Sequence, residues 1–425
     1  MKNYSPMWLG WLMWGLVAML YLLGFFQRMA PAVMVDELMR DFRISGALMG
    51  NLSATYFYSY AIMQIPSGLL ADKIGPRRLS TYACIFTGVG ILTFAWGANI
   101  WFAYAGRFLV GASVAVAFVT CMKLAAHWFP TNKFATVTGV ALVFGNIGGV
   151  LAGVPLSEAV AGIGWRTAMT ISGVITLITA VVIWLVVRDD PSEYGYSSHA
   201  HASVQENGNL PAGTALKSVI AKKDTWLLFF AGGFSTAPVL VFAGLWGVPY
   251  LTQVYGLDRS QAAMLTSTML VAWAMGGPLL GALSDRLSLR KMPYLISVVF
   301  MTILWAVFLF IPLPHTLLYP LLAAIGFTSG AVIIGFAFAR EVNHPGASGA
   351  TGGVVNMSVL GIAAIMQPVL GRILDSHWDG VLLNGARVYN STAYSSAFIW
   401  FLLSAALSVV MVSLTRETYC RIRKF

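Results

Sequence analysis

The sequence predicts an all-α membrane protein, with twelve transmembrane helices in two pseudo-symmetric six-helix bundles. Three observations predict it. The 425 residues are 58% hydrophobic and only 10% charged, against about 25% charged in soluble domains. Apolar residues run unbroken for roughly 20 positions at a time, the length a helix needs to cross ~30 Å of hydrocarbon. The chain also repeats itself. Gly68-Leu-Leu-Ala-Asp72-Lys73-Ile-Gly75-Pro-Arg77-Arg78 and Gly281-Ala-Leu-Ser-Asp285-Arg286-Leu-Ser-Leu-Arg290-Lys291 stand 213 positions apart. The same shift pairs Thr138-Gly139 with Thr351-Gly352, Gly148 with Gly361, Pro155 with Pro368 and Trp165 with Trp378. One gap-free shift that aligns charges, glycines, a proline and an aromatic marks a duplicated bundle with parallel repeats.

Lipid offers the backbone no hydrogen-bond partners, so the spans are helices or a closed barrel. Continuous rather than alternating apolar runs exclude the barrel. In the first half, spans are expected over 7–35, 48–70, 79–97, 101–124, 135–156 and 167–187. In the second they are expected over 226–251, 262–283, 292–311, 316–339, 349–370 and 394–414. This gives a bundle over 1–190, a linker over 191–224 and a second bundle over 225–425. The stretch 188–223 is rich in Ser, His, Gly and charge and shows no apolar periodicity, so a mobile polar linker is expected there.

The net charge of +10 does not signal nucleic-acid binding, because its distribution follows the loops. Lys73, Arg77, Arg78, Arg188, Lys217, Lys222, Lys223, Arg290, Lys291 and the tail residues Arg421, Arg423 and Lys424 fall on one side of the predicted topology. Positive loops mark the cytoplasmic side, which places both termini and the linker there, in a bacterial-type inner membrane. No cleavable signal peptide is evident, since the first apolar run is too long. Cys84, Cys121 and Cys420 lie in spans or the tail, which suggests neither disulfide nor metal site. The histidines are scattered, and no nucleotide loop, nucleophile elbow or zinc spacing occurs. The chain is expected to be no enzyme, to carry no cofactor, and to be a monomer.

The first copy of the repeated loop resembles the signature loop of the major facilitator superfamily. Arg107-Phe-Leu-Val-Gly111 in the fourth span is similar to that family's Arg-x-x-x-Gly element. The fifth span, Gly145-Asn146-Ile-Gly148-Gly149-Val-Leu-Ala-Gly153-Val-Pro155, resembles its glycine-rich helix. The resemblance covers nearly the whole chain and is nearest to the organic anion and organophosphate branches. It implies secondary transport between two rocking bundles, with a ligand site near the midplane.

Each element has a physical reason. A carboxylate at Asp72 or Asp285 gains from a neighbouring helix N-terminus. Together with Gly68, Lys73, Arg77, Arg78 and Arg286 it is expected to form a latch that holds one conformation; the alternative is that the cations only set topology. Glycines in the fifth and eleventh spans let helices approach closely where lipid removes the hydrophobic drive. Arg28 lies well inside the first span, where a cation costs about 2.5–3.5 kcal/mol on insertion scales, so a function is expected of it. The stretch from Phe25 to Leu38 resembles the first helix of the organic-anion branches, and the resemblance implies that Arg28 faces the cavity and binds an anionic group. A guanidinium suits this, being permanently charged and forked; the alternative is snorkelling to headgroups.

Organophosphate exchangers of this type carry a second Arg in the seventh helix, but here 226–251 is uncharged and the counterpart of Arg28 is Val241. A small carboxylate, amino acid or peptide is therefore expected ahead of a sugar phosphate. Tyr60 and Gln64 share a helical face with Tyr56, and Trp273 is the repeat counterpart of Tyr60. With Asn146, Asn356 and Gln367 they are the candidate substrate contacts. Arg107 is expected to brace the bundle or to couple it to protons. No Asp or Glu falls mid-span, so a proton would have to use an acid near a span end, Glu37 being the best placed. Transport of a small anionic or zwitterionic metabolite is the leading expectation. A membrane sensor, an exporter of amphipathic drugs and a sugar-phosphate permease are the alternatives.

Overall fold

The computed structural model describes residues 4–130, 133–199 and 212–421. Helix α1 (Met7–Met29) runs through a 3-10 turn (Ala30–Val33) into the short α2 (Val35–Phe42). Then follow α3 (Gly46–Ile74), α4 (Pro76–Trp96), α5 (Ile100–Val114) with α6 (Ala117–Trp128), α7 (Phe134–Leu151) with α8 (Val154–Ile163), and α9 (Trp165–Val186). After α10 (Ala212–Ile220) the second half begins with α11 (Lys223–Val241), which passes through a π turn (Phe242–Trp246) into α12 (Gly247–Gln253). It continues through α13 (Arg259–Leu287), α14 (Lys291–Phe310), α15 (His315–Ser329) with α16 (Val332–Val342), and α17 (Ser348–Ser376). A hairpin of β1 (Leu382–Leu383) and β2 (Ala386–Arg387) precedes α18 (Ser391–Ser413).

Counting broken helices once, these are twelve bilayer-length segments among the described residues. Eleven are apolar enough as well as long enough to cross a membrane. The twelfth, α3, has 29 residues but carries Asn51, Ser53, Ser59, Gln64 and Ser67. That polarity belongs to a helix that does not face lipid all round. The chain is thus an all-α, multi-pass membrane protein of twelve spans.

Prolines explain several irregularities. A proline cannot donate to the carbonyl four residues before it, so that carbonyl must find another donor. Pro31 frees the carbonyl of Gln27, and Arg107 donates to it at 2.7 Å. Pro238 frees the carbonyl of Phe234, and the Ser404 hydroxyl donates to it at 2.8 Å. Helix α8 starts just before Pro155, where α7 has already ended at Leu151.

By contact the chain forms two compact units. One comprises Met1–Arg28, Tyr58–Ala152 and Glu158–Asn207. Within it α4 packs on both α5 and α9. Glycines set the approach: a methyl on Gly90 would stand 2.9 Å from the Gly106 carbonyl, and one on Gly148 would run into the Leu22 carbonyl. The other unit comprises Met29–Phe57, Gly153–Ser157 and Gly208–Phe425. Its core joins Leu228, Tyr294, Ile334, Phe338 and Val355, and Phe242 sits edge-on to Trp305, Phe308 and Phe398.

Of the polar linker expected over 188–223, residues 200–211 lie outside the described residues, and the expected lack of apolar periodicity does not hold at its end. Ala215 and Val219, four apart on α10, are buried against Ala347 and Val354, a short amphipathic helix that period-counting over so few residues does not reveal. At its start, Asp190 and Glu193 form a capping box on the turn Pro191–Tyr194.

Candidate functional site

Arg28 is the last but one residue of α1, where Pro31 stops the regular helix. It is only 5% exposed, so it does not snorkel. Its guanidinium carbon stands 4.2 Å from the Phe25 ring centre and 5.1 Å from that of Tyr60. Two aromatic faces thus hold the cation, a desolvated arrangement worth up to about 2 kcal/mol per pair. The structure brings Arg28 and Tyr60, both candidate substrate contacts, together and adds Phe25.

The neighbouring Gln27 fixes this corner. Its side-chain amide donates to the Ser172 hydroxyl on α9 at 2.8 Å, while its backbone carbonyl takes the bond from Arg107 on α5. Arg107, 2% exposed, therefore ties the end of α1 to the helix behind it. Gln64 is half-buried on α3. Asn146 spends its amide on the Leu142 carbonyl of its own helix, at 2.8 Å.

In the other unit, Gln367 is fully buried on α17, and neither of its amide atoms has a hydrogen-bond partner among the described residues. Trp246 donates to its backbone carbonyl at 3.3 Å. Trp273 and Asn356 are half-buried. Val241, the repeat counterpart of Arg28, is buried directly before the π turn. Glu37 has a fixed partner, the Arg259 guanidinium at 2.5 Å. Beside it, burial and the Glu37 charge push the Asp36 carboxyl above its usual range, against the pull of Arg259 and Arg40.

The two signature loops are each tied by an acid the sequence reading did not single out. The Asp72 side chain lies outside the described residues. At the start of α4 the Asp189 carboxylate accepts from the Arg77 N–H at 2.6 Å. Gly75, at φ 85°, makes room for it, since a methyl there would stand 2.6 Å from that carboxylate. The Arg77 side chain donates to the Trp184 carbonyl and lies over the Trp184 ring. Lys73 and Arg78 are exposed, and Gly68 has open space around it.

At the start of α14, Glu417 does the same work. It accepts from the N–H groups of Arg290 and Lys291, both at 2.8 Å, and Ser288, the counterpart of Gly75, takes φ 54°. The buried Arg290 side chain pairs with Glu341 at 2.9 Å and with Asp285 at 2.6 Å, while Arg286 is exposed. Burial raises the Asp189 carboxyl, with the Arg77 N–H opposing. Burial acts likewise on Glu417, but four backbone N–H groups outweigh it and hold that carboxyl below its usual range. Both acids closely follow the last apolar residues of their half. That position was the available signal, and the fixed offset of 213 hid it, because Glu417 has drifted from the register of Asp189.

The chain matches the Major Facilitator Superfamily over residues 17–368. It is 25% identical to a probable sulfoacetate transporter of Cupriavidus necator, the match spanning 65% of each chain, so just under two thirds of that relative. It is 24% identical to a probable galactarate/D-glucarate transporter of Bacillus subtilis over 92% of this chain and 91% of that one. To a membrane sensor protein of Escherichia coli it is 24% identical over 85% of each. Among solved structures, a bacterial homologue of the human lysosomal transporter Spinster superposes with a TM-score of 0.76 at 17% identity, covering 95% of this chain and 97% of that one. A nucleoside transporter superposes at 0.71 and 15% identity, covering 94% and 98%. With the repeated loop, the twelve helices and this match in agreement, the chain belongs to the major facilitator superfamily, a family of transporters and not of enzymes.

Proposed function

We propose that the protein is a secondary transporter of a small organic anion, with Arg28 as the group that recognises the anion. Halves 1–190 and 225–425 act as the rocking bundles, and the loops bearing Arg77 and Arg290 face the cytoplasm of a bacterial inner membrane. The observation that carries the reading is Arg28 itself: a buried guanidinium steadied by Phe25 and Tyr60. The forked N–H edge of a guanidinium matches a carboxylate or sulfonate in two parallel bonds. One guanidinium compensates one negative charge. With Val241 at the counterpart position, a singly charged carboxylate or sulfonate group fits better than a phosphate group that carries two charges at one point. The sulfoacetate and glucarate relatives are named for dianions whose two charges sit on separate carboxylate or sulfonate groups, so each would present Arg28 with one singly charged group.

Tyr60 and Gln64 would order the rest of the ligand by stacking and hydrogen bonding, with Trp273, Asn356 and Gln367 as the contacts of the second half. If transport is coupled to protons, the acids near Arg259 are the place for it, and Asp36 suits the role better than Glu37, whose charge is committed to an ion pair. The test is a thermal-shift screen of purified protein against sulfoacetate, D-glucarate, glucose 6-phosphate and a set of amino acids. A stabilising carboxylate or sulfonate whose effect is lost in Arg28→Ala supports the reading. Stabilisation by hexose phosphate alone, or retained in Arg28→Ala, overturns it.

A further inference from the structure

The carboxylate of Asp375, on the last turn of α17, accepts from four donors, two of them more than 300 positions away in the chain. One oxygen accepts from the Gly46 N–H at 2.9 Å, the Tyr389 hydroxyl at 2.7 Å and the Arg387 guanidinium at 3.0 Å. The other accepts from the Ala47 N–H at 2.8 Å. Gly46 and Ala47 open α3, so Asp375 caps the N-terminus of a helix 328 and 329 positions away in sequence. The first N–H groups of a helix have no partner within it, and the helix dipole favours an anion there.

The contact beneath is backbone on backbone. A methyl on Gly371 would run into the Gly46 carbonyl, and one on Gly50 into the Gln367 carbonyl. Gly46 and Gly50 stand four apart, so one face of α3 lies directly on α17. Arg387 is delivered by the β1–β2 hairpin, whose Asn384-Gly385 turn has positive φ at both positions, and it stacks on Trp378 with 4.1 Å to the ring centre. Neither Asp375 nor Gly46-x-x-x-Gly50 belongs to a repeated motif, and both lie at the ends of α17 and α3 opposite to the signature loops.

We propose that Asp375 is a positioning residue of the transport cycle. It clips the start of α3, from the first half of the chain, onto α17, from the second, and opening of this side requires the clip to be released. The inference rests on the transport reading, and names the side opposite the signature loops as external. It does not depend on Arg28 or on any substrate, so the two fail separately. Asp72 and Asp375 would then work at opposite ends of α3, one loop and one cap, each holding a different side shut.

The test uses full-length protein with Cys84, Cys121 and Cys420 changed to Ser. One reporter is Ser53→Cys, at a buried position on the Gly46 end of α3. A second is Gly352→Cys, near the opposite end of α17, where a side chain meets no atom within 4 Å. Rates of reaction with a membrane-impermeant maleimide are read in right-side-out and inverted vesicles. Asp375→Asn is expected to raise the Ser53→Cys rate about tenfold, which is ~1.4 kcal/mol, and to lower the Gly352→Cys rate. Gly371→Ala should do the same with the carboxylate intact, because it forces the backbones apart. Unchanged Ser53→Cys rates in both variants overturn the proposal. So does a parallel rise at both reporters, the result of a merely structural cap whose loss loosens the fold.

Discussion

Arg28 and Arg107 are both buried arginines on span helices, yet their surroundings assign them different work. Arg28 faces aromatic rings, whereas Arg107 gives a hydrogen bond to a carbonyl that Pro31 leaves without its helical donor. Arg28→Lys keeps the charge and loses the fork, so anion binding is expected to weaken at least tenfold while melting temperature hardly moves; titration calorimetry beside a thermal melt checks both. Arg107→Ala strands the Gln27 carbonyl in a buried place and is expected to cost about 1–3 kcal/mol of stability, read from the melt in detergent. The burial of Arg28 beside partners was legible in the sequence, because a lone cation in an apolar run must have a reason. The roles of Phe25 and Gln27 were not, since Phe and Gln in a span look like any other filling until their partners on α3 and α9 are known.

Helices diverge between repeats more than their motifs do. Gly148 and Gly361 are counterparts under the shift of 213, but only Gly148 touches another backbone, and Gly361 has open space. Gly148→Ala is therefore expected to cost about 1–3 kcal/mol through overpacking. Gly361→Ala should be neutral or gain up to ~1 kcal/mol from helix propensity, and paired melts of the two variants distinguish them. The loop ties diverge in their titration. The Glu417 carboxyl is held low, so its contribution is complete above its ordinary value of 4.5 and is lost as pH falls through the lowered one. Asp189 is raised, so its contribution is greatest at low pH and declines as pH rises above 3.8 through the raised value. At pH 7.5, Glu417→Gln is expected to cost about 1 kcal/mol after allowing for its exposure, whereas Asp189→Asn is neutral or stabilising. Melts at pH 4 and pH 7.5 should show the two differences moving in opposite directions.

At the scale of the whole molecule, the number of spans, their helical nature and the duplication were legible because each rests on composition and period. The interruptions were not. Breaks such as Ala115–Val116 and Gly330–Ala331, between α5 and α6 and between α15 and α16, sit inside apolar runs that read as one helix. At the second of these the backbone of Gly330 lies against those of Gly276 and Gly277, a tertiary contact that no local period reveals. Carboxylates that cap distant helices, namely Asp189, Glu417 and Asp375, were hidden for the same reason, since a cap's partner is set by the fold and not by its neighbours in sequence. At this scale the central proposal is Arg28 as the recognition group of an anion transporter. It is tested most directly by uptake of radiolabelled D-glucarate and sulfoacetate into proteoliposomes, comparing the wild-type chain with Arg28→Lys reconstituted to the same density. Saturable uptake of at least one of the two by the wild type, reduced at least tenfold in Arg28→Lys, is the predicted result. Uptake of equal rate in the two proteins, or none of either anion by the wild type while glucose 6-phosphate enters, would contradict it.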